Sequence, residues 1–365
     1  MGDTDIQWTG KTWNPLRGCT EISPGCAHCY AAAVAARFSG PGLPYEGLAY
    51  FDDNGKAHWT GKLRIVPEKL AEPLHWRKPA KIFVNSMSDL FHEKVPFTFV
   101  DEVFAIMASC ERHTFQVLTK RPERMARYFS ERSLGDVYTN ILCLADAEPA
   151  YGPSPHDRLR SILKITDMWS LRDGKPSRHA PPPAWPLPNV WLGVSVEDQK
   201  RADERIPHLL RTPAAIRFLS IEPMLEAIDL NRMETMCETW RKGFTIGTYL
   251  DWVIVGGESG HNARPLDLAW ARSIRDQCKS AGVAFFMKQC GSRPFDSRGA
   301  DGFPGASKVY RSAEEAKSPG AIAALAITLE LMTVDLKDSH GGDMAEWPSD
   351  LRVREFPAVS EVARA

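Results

Sequence analysis

Six short apolar runs, each followed by polar or charged residues, constrain the fold of this chain more than any other feature. Each run has the length of a strand that is buried on both faces. The runs are Lys81–Ser86, Thr114–Lys120, Val190–Glu197, Ile216–Pro223, Trp252–Ser259 and Ala284–Gly291. Segments with helical character lie between several of the runs, and a strand followed by a helix, repeated along a chain, predicts an α/β fold with a parallel sheet.

Four segments are predicted to be helices. Tyr30–Phe38 is rich in alanine, Pro96–Cys110 follows the first run, and Asp198–Leu210 follows the third. Pro265–Gly282 follows the fifth run and ends in a glycine, which commonly terminates a helix because it readily adopts the left-handed conformation.

Polar side chains recur at the carboxyl ends of the six runs. They are Asn85, Ser86, Thr119, Lys120, Ser195, Glu197, Glu222, Glu258, Lys288 and Gln289. In a barrel or partial barrel these ends converge on one mouth, where such folds place their active sites. In an open, doubly wound sheet they could simply meet solvent. Repetition over six runs favours the convergent mouth, and hence a partial (β/α) barrel.

The remaining segments divide the chain into a barrel domain and an extension. Residues 1–299 are predicted to form the barrel domain, with an irregular insert at 131–189 whose proline-rich end forbids regular structure. Gly40–Arg64, rich in glycine and aromatic residues, is predicted to be a second irregular insert. Residues 300–365 are predicted to form a helical extension and a tail, with one helix over Ala321–Met332.

Charge and hydropathy exclude several classes of protein. The formal net charge of −1 gives no global positive field that would draw the chain onto nucleic acid. We find no apolar stretch of about 18 residues, the length that a membrane span needs. The amino end is acidic and polar, unlike a signal peptide. These features predict a cytoplasmic protein with no membrane partner.

Three of the eight cysteines, Cys19, Cys26 and Cys29, are clustered. Pro24 and Gly25 predict a turn just before Cys26, and a helix is predicted to start right after Cys29. A helix N-terminus carries free N–H groups and partial positive charge, which favours thiolates and anionic clusters. Three thiolates on such a loop suit three irons of a [4Fe–4S] cluster and leave the fourth iron open.

Zinc binding and a redox dithiol are the alternatives. A structural zinc site closes with four protein ligands. His28 is awkwardly placed between two of the cysteines, and the remote candidates for a fourth ligand are His58, His75, His92 and Cys290, of which Cys290 is the most credible. A redox dithiol needs only the C-x-x-C pair and leaves Cys19 without a role.

The cysteine segment "WTGKTWNPLRGCTEISPGCAHCYA" resembles the opening of phage-associated three-Cys-motif proteins, a largely uncharacterised family with radical-SAM-like features. Further similar segments are "FVNSMSDLFHEKVP", "FQVLTKRPERM", "VWLGVSVED", "FLSIEPML", "IVGGESGHNARP" and "FFMKQCG". The resemblance runs from about Ile6 to Gly291 and returns in the tail "EWPSDLRVREFP".

The resemblance implies a radical-SAM-like partial barrel in which Cys19, Cys26 and Cys29 bind a [4Fe–4S] cluster. S-adenosylmethionine would chelate the fourth iron and be cleaved, on reduction, to a 5′-deoxyadenosyl radical. A reductant protein is then an expected partner. The chain departs from the superfamily in two respects: six residues, not three, separate Cys19 from Cys26, and its Gly-Gly-Glu element follows a late strand instead of the second.

Several residues are predicted to bind the cofactor. They are His28, Ser195, Glu197, Gly256, Gly257 and Glu258. His28 stands where the superfamily often has an aromatic residue near the adenine. Ser195 and Glu197 suit ribose hydroxyls. Paired glycines let the backbone approach a ligand closely, and the Glu258 carboxylate suits an ammonium group or a ribose hydroxyl, although a glycine-rich turn is an equally good reading of this element.

Glu222 and Lys288 are the predicted catalytic residues. Glu222 suits an ammonium group or acid–base work, and Lys288, like Lys120, Arg121 and Arg264, suits a carboxylate or phosphate. Four tryptophans that could stack on bases are Trp8, Trp13, Trp59 and Trp76. With the phage association, this predicts a radical SAM enzyme that modifies or repairs a nucleotide or nucleic acid. The alternative is a non-catalytic binding protein stabilised by zinc or a cluster.

Overall fold

A seven-stranded parallel sheet dominates the computed structural model. The structure describes residues 4–133, 135, 137, 185–232, 246–260, 262–297 and 336–358, and the backbone of residues 171, 172, 175 and 176. The strands are β1 (Lys11–Trp13), β2 (Lys81–Val84), β3 (Thr114–Thr119), β4 (Val190–Ser195), β5 (Ile216–Ile221), β6 (Trp252–Gly256) and β7 (Ala284–Gln289). They lie side by side in chain order, and each pairs in parallel with the next.

The sheet is a curled half-barrel, which confirms the predicted α/β class and its parallel strands. A doubly wound sheet reverses its strand order at a switch point, whereas this sheet has no reversal. All six apolar runs contain strands. No apolar run predicted β1, because this strand is only three residues long and includes two polar ones, Lys11 and Thr12.

Side chains of the strands alternate between two apolar layers. The outer layer packs under the helices and includes Val117, Leu192 and Val253. The inner layer fills the base of the half-barrel with Phe83, Trp191, Phe218, Trp252 and Phe286, and Trp8 packs among them. Both faces of the sheet are therefore buried, which is why the strands read as continuous apolar runs instead of alternating ones.

Seven α-helices have assigned bounds within the described residues. They are α1 (Tyr30–Arg37), α2 (Pro67–Leu70), α3 (Glu72–His75), α4 (Phe97–Ser109), α5 (Pro122–Glu131), α6 (Gln199–Arg211) and α7 (Leu268–Ala281). The four predicted helices correspond to α1, α4, α6 and α7. Gly282 follows α7 with a φ of 70°, so the predicted glycine stop is confirmed.

The segment Gly40–Arg64, predicted to be irregular, contains regular structure. Ala49–Phe51 pairs antiparallel with Ala57–Trp59, and Arg64–Ile65 pairs with Leu16–Arg17 just before the cysteine loop. These strands are too short to show a period in the sequence. Most of the predicted insert at 131–189, and the whole predicted helix Ala321–Met332, lie outside the described residues.

The segment 353–355 covers the outer edge of β7. The Met287 N–H donates to the Val353 carbonyl at 2.8 Å, and the Glu355 N–H donates to the Phe285 carbonyl at 2.9 Å. The Trp252 indole N–H also donates to the Glu355 carbonyl, at 2.8 Å. The described part of the tail thus completes the sheet. In the portion of the chain that the structure describes, no helix has the length and apolar character to cross a membrane.

Candidate functional site

The carboxyl ends of the strands surround a cavity of about 330 Å³. Of the strand-end polar residues identified in the sequence, all except Glu197 line this cavity. The parallel sheet explains the arrangement, because it points all its carboxyl ends the same way and its curl brings them together. Ser220 also lines the cavity, on the same face of β5 as Phe218 below it and Glu222 above it. Ser220 could have been identified from the sequence, because it alternates with Phe218 and Glu222 along the strand.

The three clustered cysteines line the same cavity. All three are free thiols, and Cys29 is the residue immediately before α1. The loop passes close to its neighbours at Gly18, where a Cβ atom would lie only 2.2 Å from the Lys62 carbonyl oxygen. Within the described residues, no three or more His, Cys, Asp or Glu side chains are grouped closely enough to hold a metal ion.

Arg121 binds the Cys19 end of the loop. Its guanidinium donates to the Thr20 hydroxyl at 2.7 Å, to the Thr20 carbonyl at 3.3 Å and to the Cys19 Sγ at 3.8 Å. Its other N–H groups donate to Asp89 at 3.0 Å and to Glu93 at 2.9 Å. Arg121 therefore ties the first cysteine to the residues that follow β2 and β3.

Asp89 accepts a hydrogen bond from Arg121 and is itself held by two further hydrogen bonds. Its carboxylate accepts from the Thr119 hydroxyl at 2.7 Å and from the Lys120 backbone N–H at 3.0 Å. Burial, with a smaller effect from the negative charge of Asp89, raises the pKa of the Cys19 thiol to about 12, although Arg121 acts in the opposite direction.

Glu258 and Arg264 bind the other end of the loop. The Glu258 carboxylate accepts from the Arg264 guanidinium at 2.7 Å and 3.0 Å and pairs with the His28 Nδ1 at 2.8 Å. Arg264 also donates to the Pro24 carbonyl at 2.9 Å. Burial disfavours the carboxylate, but hydrogen bonds from Arg264 and His28 outweigh it and lower the pKa of Glu258. Two predicted cofactor-binding residues, His28 and Glu258, are therefore in direct contact.

Glu197 lies behind the cysteine loop instead of on the cavity wall. Its side chain is 0% exposed and accepts from the Gly25 N–H at 3.2 Å and from Arg205 at 2.9 Å. A Cβ atom at Gly25 would lie 3.0 Å from the Glu197 carboxyl carbon. Glu197 thus fixes the turn before Cys26. Ser195, its predicted partner in ribose binding, remains on the cavity wall.

Glu222 and Lys288, the predicted catalytic residues, form an ion pair across the cavity wall. Both glycines of the Gly-Gly-Glu element are closely packed, and at Gly257 the packing against backbone requires a glycine. A Cβ atom at Gly256 would lie 3.3 Å from the Glu222 carboxyl carbon, and one at Gly257 would lie 2.4 Å from the Cys290 carbonyl oxygen. The glycines therefore let the β6 end approach Glu222 and the chain after β7.

The remote candidates for a fourth metal ligand make other contacts. Cys290 is buried outside the cavity lining, and burial raises the pKa of its thiol to about 12. His58 pairs with Glu21 at 3.2 Å and with Asp52 at 3.1 Å. His92 is hydrogen-bonded to the Thr20 hydroxyl at 3.0 Å. His75 is the last residue of α3.

The four tryptophans separate into two pairs. Trp8 and Trp59 line the cavity. Trp13 is buried in the outer layer and donates to the Lys69 carbonyl at 2.7 Å, and Trp76 packs edge-on against His113. Only the first pair is placed to contact a ligand in the cavity.

A family model described as a protein of unknown function, DUF5131, matches residues 3–324. That range includes the cysteine loop, all seven strands and the cavity residues. No curated protein and no solved structure matches the chain.

Proposed function

The chain belongs to the DUF5131 family of proteins of unknown function, and we propose that it is an enzyme of the radical S-adenosylmethionine type, as its resemblance to phage-associated three-Cys-motif proteins implies. In this proposal Cys19, Cys26 and Cys29 bind a [4Fe–4S] cluster. S-adenosylmethionine would bind in the same cavity, held by the residues around the cysteine loop. One observation carries the proposal: three free thiols from a single loop line the cavity at the mouth of a parallel half-barrel.

The donor set fits an iron–sulfur cluster in its chemistry. Thiolates are the usual ligands of [4Fe–4S] clusters, and a helix N-terminus beside them favours their negative charge. Cys29 directly precedes α1, and the Arg121 guanidinium contacts the Cys19 Sγ. When bound, a reduced cluster supplies the electron for reductive cleavage of S-adenosylmethionine.

The residues around the cavity would bind and orient the reactants. The Lys288 ammonium group suits a carboxylate, and the Glu222 carboxylate suits an amino group, so together they match the two ends of an amino acid. Below them, Phe83, Leu118 and Trp8 form an apolar floor that excludes water. Exclusion of water protects reactive species from side reactions.

We propose a nucleotide or nucleic acid as the substrate class, to be modified or repaired. The rim of the cavity supports this choice because it combines the cation of Lys120 with the aromatic rings of Tyr30 and Trp59. Cations bind phosphates and aromatic rings stack on bases. We further propose that the protein acts in the cytoplasm with a reductant protein, since iron–sulfur chemistry needs an electron donor.

Anaerobic purification followed by metal analysis tests the function. We expect about four irons and four sulfides per chain, as for one [4Fe–4S] cluster. Addition of dithionite and S-adenosylmethionine should then release 5′-deoxyadenosine, detected by mass spectrometry. Cys26→Ala should lose both iron and product. Cys110→Ala, which removes a buried thiol at the end of α4 away from the cavity, is the matched control and should keep both.

Three outcomes would contradict parts of this proposal. Stoichiometric zinc without cleavage of S-adenosylmethionine would indicate a metal-stabilised binding protein. A cluster that supports no cleavage would indicate a structural or electron-transfer role. Equal losses in Cys26→Ala and Cys110→Ala would show that the loss of iron is not specific to the cysteine loop.

A further inference from the structure

Asn85 follows β2 at the cavity wall and combines two features that each raise the free energy of the folded state. Its φ of 60° lies in the left-handed region, which asparagine tolerates better than most residues but which still carries strain. Its side chain is nearly buried, at 3% exposure, and neither its amide nitrogen nor its amide oxygen has a hydrogen-bond partner among the described residues. Buried amides are almost always hydrogen-bonded.

The backbone around Asn85 is well fixed. Its N–H donates to the Trp13 carbonyl at 2.8 Å, and its carbonyl accepts from the Ser88 N–H at 3.2 Å. Bonds on both sides therefore set the unusual conformation and keep the amide at the cavity wall. Strained, over-determined residues of this kind cluster at ligand-binding sites.

Two other asparagines show how this fold normally satisfies such a group. The Asn14 amide exchanges hydrogen bonds with Ser86 and accepts from the Met87 N–H at 3.0 Å. The Asn189 amide donates to three carbonyls, those of Met107, Cys110 and His113. Neither side chain lines the cavity. Asn85, which does line it, is the one left without a partner among these three.

Trp8 adds a third unpartnered polar atom to the cavity wall. Its indole Nε1 is buried and has no hydrogen-bond partner among the described residues. Its ring lies 4.7 Å from the Phe83 ring, measured between centroids, and both rings line the cavity together with Leu118. This part of the wall therefore offers two donor nitrogens, one carbonyl acceptor and flat apolar surfaces.

We infer that Asn85 and Trp8 form a subsite for a nucleobase. An asparagine amide presents a donor beside an acceptor, which matches the hydrogen-bonding edge of a base, as in the pairing of asparagine with adenine. Aromatic side chains bind the faces of any base. The inference deepens the proposed function, on which it rests for the role of the cavity. The base belongs either to S-adenosylmethionine or to a substrate nucleotide.

Equilibrium binding without reductant tests the subsite, because no turnover occurs. The probes are adenosine, guanosine, cytidine, thymidine and S-adenosylhomocysteine, with ribose 5-phosphate as the control that lacks a base. We expect at least one base-containing probe to bind and ribose 5-phosphate to bind much more weakly. Asn85→Gly should weaken that probe about 10- to 100-fold, the range expected for loss of a bidentate contact to a base.

Glycine is the appropriate replacement at position 85 because it adopts a positive φ without strain and removes the amide. Trp8→Phe keeps an aromatic ring and removes the N–H, so we expect a smaller weakening in the same probe. Asn54→Gly, in an exposed turn, is the matched control and should bind as the original chain does. Thermal unfolding of each variant checks that the fold is retained.

The pattern of losses distinguishes the source of the base. If Asn85→Gly weakens only adenosine and S-adenosylhomocysteine, the base is the adenine of the cofactor. If it weakens guanosine, cytidine or thymidine, the base is that of the substrate. Equal binding of every probe by a folded Asn85→Gly variant and the original chain, or no binding of any base-containing probe, would overturn the inference.

The two proposals fail separately. If the protein releases 5′-deoxyadenosine but Asn85→Gly binds every base-containing probe as the original chain does, the subsite is rejected and the proposed enzyme activity stands. If the protein contains zinc and does not cleave S-adenosylmethionine, but Asn85→Gly still weakens binding of a base, the nucleobase subsite stands and the proposed enzyme activity is rejected.

Discussion

Two arginine-centred clusters bind the cysteine loop at opposite ends, and they differ mainly in burial. The Arg121 cluster comprises Arg121, Asp89, Glu93 and Thr20, and the Arg264 cluster comprises Arg264, Glu258 and His28. The Arg121 side chain is 5% exposed, whereas that of Arg264 is 29% exposed.

Because the two arginines differ in burial, we expect the two ends of the loop to differ in how firmly they are held. A pair in which both charges are buried is costly to break, whereas a pair with one partly exposed partner is weakened by solvent screening. The Arg121 cluster should therefore fix the position of Cys19, and the Arg264 cluster should let the His28 end adjust when a ligand binds. We therefore expect a preset position for Cys19, a turn before Cys26 that Glu197 holds, and the most freedom to adjust around His28 and Cys29.

The largest expected effect is that of Arg121→Ala. Removal of the guanidinium leaves the Asp89 carboxylate, itself 6% exposed, without its cationic partner. We expect the free energy of unfolding to fall by about 3–5 kcal/mol, as for other broken buried pairs. Urea unfolding at neutral pH measures this. A loss no greater than that of Arg264→Ala would abolish the distinction between the two clusters.

Glu197→Gln tests a third contact with the loop, at Gly25, next to the Pro24 carbonyl that Arg264 binds. The substitution keeps the shape of the side chain but removes the charge that pairs with Arg205 at 2.9 Å. We expect a loss of about 1–3 kcal/mol, because the buried guanidinium loses a charged acceptor. Urea unfolding gives the loss, and iron content reports on the loop. Asp203→Asn, on helix α6 with Arg205, is a control that should change neither quantity appreciably.

Arg264→Ala should destabilise the protein less, by about 1–2 kcal/mol, because the arginine is partly solvated. The variant should nevertheless loosen the loop, since it removes the bond from Arg264 to the Pro24 carbonyl. Hydrogen exchange of the amides of residues 24–29 would detect this as faster exchange. Unchanged exchange in the loop would indicate that Glu197 alone fixes the turn.

The smallest effect is the acid dependence of the Arg264 cluster. The pKa of Glu258 is lowered from its ordinary 4.5, so its contribution to stability is present above that pH. The contribution is lost as the pH falls through the folded-state pKa. Unfolding of the original chain and of Glu258→Gln, compared from pH 7 to pH 3, should show a difference of about 1 kcal/mol or less that closes below pH 4.5. A difference in the free energy of unfolding that stays constant from pH 7 to pH 3 would contradict this contribution of Glu258.

The fold was more predictable than the contacts within its site. Continuous apolar runs located six strands because a sheet buried on both faces leaves no polar alternation, and strand ends located the cavity because parallel strands share a direction. The three-residue β1 is too short and polar to produce such a signal.

Contacts that depend on chain folding could not be read from the sequence. Ser195 and Glu197 are two positions apart, so in a continuous strand their side chains would lie on the same face, and we predicted one site for both. However, β4 ends at Ser195, and the chain then carries Glu197 behind the cysteine loop. The contact between His28 and Glu258 joins residues 230 positions apart, and no local pattern predicts it. The polar character of Asn85 was visible, but its missing partner was not.

The pairing of residues 353–355 with β7 has a consequence for biosynthesis. The ribosome releases β7 well before it makes its edge partner, so the growing chain exposes an unpaired strand edge in the interval. Such an edge can pair with another chain and start aggregation. A chain that ends before Val353 would keep this exposure permanently, so we expect it to accumulate in the insoluble fraction even though the cavity residues are all present.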